Sequence, residues 1–163
     1  MGILLMACIA SLLYYPVRMA AEGRARVNLN HQMRIVRERM LRGVSGQVGL
    51  RSARRDSIDV YSDSSTVDWV SFRVDTNPVP TLSQSSDDLS CWIFGLDRML
   101  YSWWAAPDGA WSMRDLLRGN VRLRRLDIRR TEDELALDLA LETQVGGKTV
   151  ERAARINVAF CNQ

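Results

Sequence analysis

Met1 to Val17 carry no charge, and Arg18 is the first charged residue. From Arg18 to Arg42 the chain is rich in arginine but keeps an apolar stripe. Ala21, Ala25, Leu29, Met33, Val36 and Met40 recur at steps of four, four, four, three and four, which is one face of a helix. No Gly-Pro or Asn-Gly signal separates the two stretches. The pattern therefore predicts one helix of roughly 40 residues, about 60 Å long at 1.5 Å per residue. Pro16 lies inside it, where a proline removes one backbone hydrogen bond and kinks the axis. Gly43 is placed to cap its C-terminus.

From about Ser57 the period changes to two. Ile58 and Val60 alternate with Asp59 and Tyr61, and Val70, Phe72 and Val74 alternate with Ser71 and Arg73. Thr76 to Pro80 and Ser83 to Asp88 read as a polar, proline-bearing loop. Cys91 to Phe94 and Met99 to Tyr101 read as two strands around a turn at Gly95-Leu96-Asp97-Arg98. Pro107-Asp108-Gly109 is another turn, and Met113 to Arg118 reads as a short helical turn. Val121 and Leu123 share a face that Leu126 and Ile128 continue after one extra residue. That slip at Arg124-Arg125 is the mark of a β-bulge. Leu135, Leu137, Leu139 and Leu141 alternate strictly with Ala136, Asp138, Ala140 and Glu142, which predicts a strand with one buried face. Gly146-Gly147 suits a tight hairpin turn, and Ala154, Ile156, Val158 and Phe160 form the return strand. The expected architecture is α+β: one long helix, then an antiparallel sheet whose leucine face meets the helix stripe.

The uncharged run is 17 residues long, slightly short of the ~20 that span a bilayer. It has no basic residue before it, so it does not read as a signal peptide. The economical reading takes Met1 as an internal methionine of a longer apolar helix. The division is then an apolar transmembrane half over 1–17, an amphipathic stem over 18–43 and a sheet domain over 44–163.

Composition adds little. The net charge is +3, and Lys148 is the only lysine. Mild basicity permits contacts with nucleic acid or anionic lipid without arguing for them. Of the three cysteines, Cys8 sits in the apolar run. Cys91 and Cys161 lie in the sheet domain, either bridged or as two buried thiols.

Catalytic chemistry finds few residues to stand on. His31 is the only histidine, and it lies in the helical stem, away from any Ser or Cys nucleophile. Ser-His-Asp and Cys-His catalysis are therefore poor readings. There is no Cys-x-x-Cys and no histidine pair for a metal. Asp87-Asp88 reads as a solvated turn because it lacks the oxygen-ligand spacing of a calcium loop. Arg122, Arg124, Arg125, Arg129 and Arg130 read as a solvated strand face with Glu132, Asp133 and Glu134 as partners; contact with DNA phosphates is the alternative. Trp103, Trp104 and Trp111 read as core, with an exposed interface as the alternative. No cofactor is expected.

The long, proline-bearing apolar helix, the amphipathic stem and the antiparallel sheet together resemble the type IV pilin and type II secretion pseudopilin family, in particular a minor pilin or J-class minor pseudopilin. MGILLMACIASLLYYPV resembles the second part of that family's N-terminal segment. The glycine cleavage site followed by an aromatic and a glutamate, which marks the family, has no counterpart in the chain. The resemblance implies a non-catalytic minor subunit that primes or caps a filament. It would sit in the inner membrane by a single pass, with the sheet domain in the periplasm or on an extracellular filament. Its partners would be membrane lipid and other pilin-like subunits. Gly2, Ala7, Ala10 and Ser11 would permit close helix packing, and Pro16 would set the bend. Two alternatives stand beside this reading. One is a single-pass envelope protein whose sheet domain binds a ligand or partner; the other is an adhesive or DNA-binding tip protein.

Overall fold

The computed structural model describes residues 2–43, 49–53, 57–61, 68–74 and 88–159. Among the described residues there is one α-helix, α1 (Gly2–Arg42), which runs for 41 residues with Pro16 inside it. Gly43 ends it in the left-handed region, with φ 78°, and its amide donates to the Arg39 carbonyl at 2.8 Å. A short 3-10 turn follows at Leu50–Ser52. The remaining regular structure among the described residues is antiparallel β.

Two sheets form, where the sequence predicts one. The first has five strands in the order β1-β2-β3-β4-β5. They are β1 (Asp59–Tyr61), β2 (Trp69–Val74), β3 (Leu89–Leu96), β4 (Met99–Ala105) and β5 (Trp111–Asp115). The second has three strands, β6 (Arg122–Arg130), β7 (Glu134–Val145) and β8 (Lys148–Ala159).

The expected α+β, pilin-like arrangement with a membrane-embedded first helix half is corrected on two counts. The body is mostly antiparallel strand in two sheets. Among the described residues, no helix is long and apolar enough to cross a membrane. Arg18, Glu22, Arg24 and Arg26 follow closely on the uncharged run and limit the apolar length available. The helical turn expected over Met113 to Arg118 is also corrected. Met113, Arg114 and Asp115 belong to β5, which pairs with β4 from Tyr101↔Asp115 to Ala105↔Trp111. An edge strand with little buried surface has no strong alternation to reveal it.

The local turn chemistry holds. Asp97 and Arg98 turn the β3–β4 hairpin with φ 49° and 62°. Gly146 and Gly147 turn β7–β8, both at positive φ, where glycine carries no Cβ penalty. The pairing of β6 with β7 shifts register between Leu123 and Arg125, where the sequence shows its slip.

One core joins the parts. Leu29, Met33, Val36 and Met40 of α1 pack with Leu135, Leu137, Leu139 and Leu141 of β7 and Ile156 and Val158 of β8. Val70, Phe72, Ile93 and Leu100 bring the inner face of the five-stranded sheet to the same cluster. The two sheets are tied by Asp68, which is buried. Its amide donates to the Leu126 carbonyl at 3.1 Å, and its carboxylate accepts from the Ile128 amide at 2.6 Å.

Candidate functional surfaces

α1 has two halves with opposite surroundings. From Ala25 onward its apolar stripe is buried: Leu29 is 1 % exposed and Val36 and Met40 are 0 % exposed. Towards the N-terminus the same helix leaves the body. Every residue from Tyr14 to Ala20 is exposed. Met6, Leu12, Tyr14, Tyr15, Val17 and Met19 are exposed apolar side chains, Leu12 at 74 % and Val17 at 67 %. A helix that is apolar all round is ordinarily buried in something, and contiguous exposed apolar surface marks an interaction site.

A polar clasp marks where the helix departs. Lys148, at the start of β8, donates to the Glu22 carboxylate at 3.1 Å. Arg18 lies 3.5 Å from the same carboxylate, one helical turn away. The Lys148 hydrogen bond, with the charges of Lys148 and Arg18, holds the Glu22 carboxyl below its usual range.

Of the residues expected to pack helices, Gly2, Ala7, Ala10 and Ser11 are within α1, and their side chains lie outside the described residues. Pro16 is exposed on the departing half. Cys91 is a buried thiol whose Sγ faces the Leu89 carbonyl at 3.8 Å. Burial pushes it up to about 12, so at neutral pH it is not a thiolate nucleophile. Cys161, Asp87 and the expected loop over 76–87 lie outside the described residues. His31 is exposed on the stem.

Several arginines of β6 reach carboxylates and carbonyls on other elements. Arg124 reaches Glu142 at 3.6 Å and Glu151 at 3.1 Å. Arg125 pairs with Asp127 at 3.3 Å. Arg122 donates to the carbonyls of Gly119 and Val121. Arg130 donates to the Ile58 carbonyl. Arg98 joins Arg124 on Glu142, so the β3–β4 turn is fastened to β7.

A second surface was not visible as a site in the sequence. On the five-stranded sheet, the face opposite the core carries rows of aromatics. One row reads Tyr61, Trp69, Phe94, Tyr101 across β1 to β4. The next reads Ser71, Trp92, Trp103, Met113. Tyr61 and Trp69 stack at 3.9 Å with planes 9° apart, and Trp92 and Trp103 lie 4.1 Å apart. Trp111 stands 69 % exposed on β5. The expectation of a core position therefore fails for Trp103 and Trp111, while Trp104 does pack against the core. The missed signal was the hairpin itself. Trp92 and Trp103 lie equally far from the Asp97-Arg98 turn, so the turn alone pairs them.

Among the described residues no group of three metal-ligating side chains converges. No protein-family model, curated protein or solved structure matches the chain.

Proposed function

We propose that this chain is a non-catalytic assembly subunit, of the kind a minor member of a pilus or secretion pseudopilus would be, and that it joins other subunits through the departing half of α1. The observation that carries this reading is the exposed apolar set at Met6, Leu12, Tyr14, Tyr15, Val17 and Met19 on a helix whose other half is locked into the core. Packing such a helix among neighbouring helices removes that surface from water at about 25 cal/mol per Å2. On this proposal the partners are subunits with a similar helix, and the sheet body lies in the periplasm beside the inner membrane.

The test replaces exposed residues only. Leu12→Glu with Val17→Glu should leave the circular dichroism and unfolding midpoint of the body unchanged and abolish co-purification with helix-bearing subunits. A variant that assembles like the parent overturns the reading. A phosphatase active only in the periplasm, fused after Gln163, should be active; activity only from a cytoplasm-dependent reporter overturns the location.

A second reading draws on the aromatic sheet face. In it the chain is an envelope protein whose sheet body binds a ligand or partner without polymerising. It becomes the better account if the parent chain never associates through α1.

A further inference from the structure

Two open sheets have four edges, and three of them are closed to further pairing. β1 is 3 residues long and β5 is 5, too short to template a long partner strand. β6 is bulged, and other parts of the chain occupy its outer groups. The Leu123 amide donates to the Arg98 carbonyl at 2.6 Å, and Asp68 engages Leu126 and Ile128. β8 differs on every count. It is 12 residues long and contains neither proline nor glycine. It pairs with β7 from Glu134↔Ala159 to Val145↔Lys148 without a register break. Among the described residues, no backbone hydrogen bond closes its outer side. Long, unbulged edges of this kind accept another strand, and proteins ordinarily shorten, bulge or cover them.

We propose that β8 is a pairing edge for β8 of a second copy, antiparallel, with Ala153 on the two-fold axis. The proposal goes beyond helix-mediated assembly and does not depend on it. Charge selects the register. Directly opposed residues in an antiparallel pair share a face, so a two-fold axis normal to the sheet must fall on a residue and keeps both helices on one side. Centring on Glu151 sets that glutamate against itself. Centring on Arg152 or Arg155 does the same to an arginine. Centring on Ala154 opposes Glu151 to Asn157 and leaves Arg155 facing Ala153. Centring on Ala153 opposes Glu151 to Arg155 twice, once on each side of the axis, and sets Val150 against Ile156.

The side chains are placed for this. Val150, Ile156 and Val158 are buried in the core shared with α1, so Glu151 and Arg155 stand on the opposite face. Asp138 of β7 grips Arg155 from one side through two bonds of 2.7 and 2.8 Å. A guanidinium has five donors, so the side towards the open edge keeps capacity for Glu151 of the second copy. The helices fit as well. α1 packs over β7 and β8, so the axis places a second α1 about two strand spacings away, roughly 10 Å, the upper end of helix-packing distances. A groove of about 290 Å3 between α1 and the start of β8, bordered by Arg26, Asn30 and Thr149, gives the far end of the incoming strand room to enter.

The experiment measures the sedimentation mass of the full chain in the Leu12→Glu, Val17→Glu background, which removes the helix surface and separates the two proposals. The expected mass is twice the 18.5 kDa of one chain. Glu151→Arg alone sets arginine against arginine, and Arg155→Glu alone sets glutamate against glutamate, so each variant should run as a single chain. Mixed in equal amounts, the two variants oppose arginine to glutamate at both positions and should recover the doubled mass. A single-chain mass for the unreversed protein, a doubled mass for either variant alone, or no recovery on mixing overturns the proposal. Ala153→Cys provides a readout free of charge reversal. Ala153 is exposed and faces itself across the axis, so oxidation should link two chains, whereas Thr149→Cys should not. Absence of the Ala153→Cys link also overturns it.

Discussion

The two halves of α1 are one continuous helix, yet one is held by the sheets while the described side chains of the other, from Met6 to Met19, are exposed. Both are rich in apolar residues. What separates them is the partner. The C-terminal half meets the leucine face of β7 at Leu29, Met33, Val36 and Met40, while Leu12, Tyr15 and Val17 meet solvent. Isolated helices are marginal in water and take most of their stability from packing of an apolar face. The buried half thus accounts for the fold, and on the proposed reading the exposed half is the surface that meets other subunits.

The largest expected effect breaks this comparison directly. Leu29→Ala should cost about 2–5 kcal/mol, as buried leucine truncations do. Leu12→Ala should stay within about 0.5 kcal/mol, as exposed substitutions do. Denaturant unfolding of the two variants checks both. Equal losses would mean that the exposed half also packs on the body.

A smaller effect is expected where the body is joined. Asp68→Ala removes the acceptor of the Ile128 amide and leaves that donor buried, at about 1–3 kcal/mol. Hydrogen exchange should show β6 amides opening sooner, with the α1 amides beyond Ala25 little changed. Faster exchange throughout α1 would show that the sheet joint and the helix dock are one unit.

The smallest effect concerns the clasp between the halves. Glu22 is held below its usual range, so its contribution to stability is present above the ordinary carboxylate range and is lost as pH falls through its folded value. Lys148→Ala should lower the unfolding midpoint slightly at neutral pH, and the difference should vanish in acid. A difference that persists in acid would assign Lys148 a role other than its ion pair.

Much of this was legible locally. The stripe from Ala25 to Met40, the Gly43 cap, the bulge at Arg124-Arg125 and the leucine strand each follow from a period or a turn residue. The division into two sheets was not legible, because strand pairing is settled by contacts far apart in sequence, and the bond that ties the sheets joins Asp68 to Ile128 across 60 positions. β5 escaped because its exposed edge leaves no alternation. The aromatic rows escaped for a related reason. Register between distant strands decides which side chains share a row, and Ser71 to Trp92 crosses a segment with no period of its own. The exposed helix half was visible as an apolar run, but sequence alone could not separate an exposed surface from a buried one.

The central claim is that the first half of α1, and not exposed apolar surface in general, makes the contact with other helix-bearing subunits. Val27 supplies the control, since it is 69 % exposed on the packed half. A photo-crosslinking residue placed in turn at Leu12, Val17 and Val27 of the full chain, expressed in its native host, tests the claim. The account predicts crosslinks to other helix-bearing subunits from positions 12 and 17 and none to them from 27. Crosslinks of equal yield from all three, or none from 12 and 17, would contradict it.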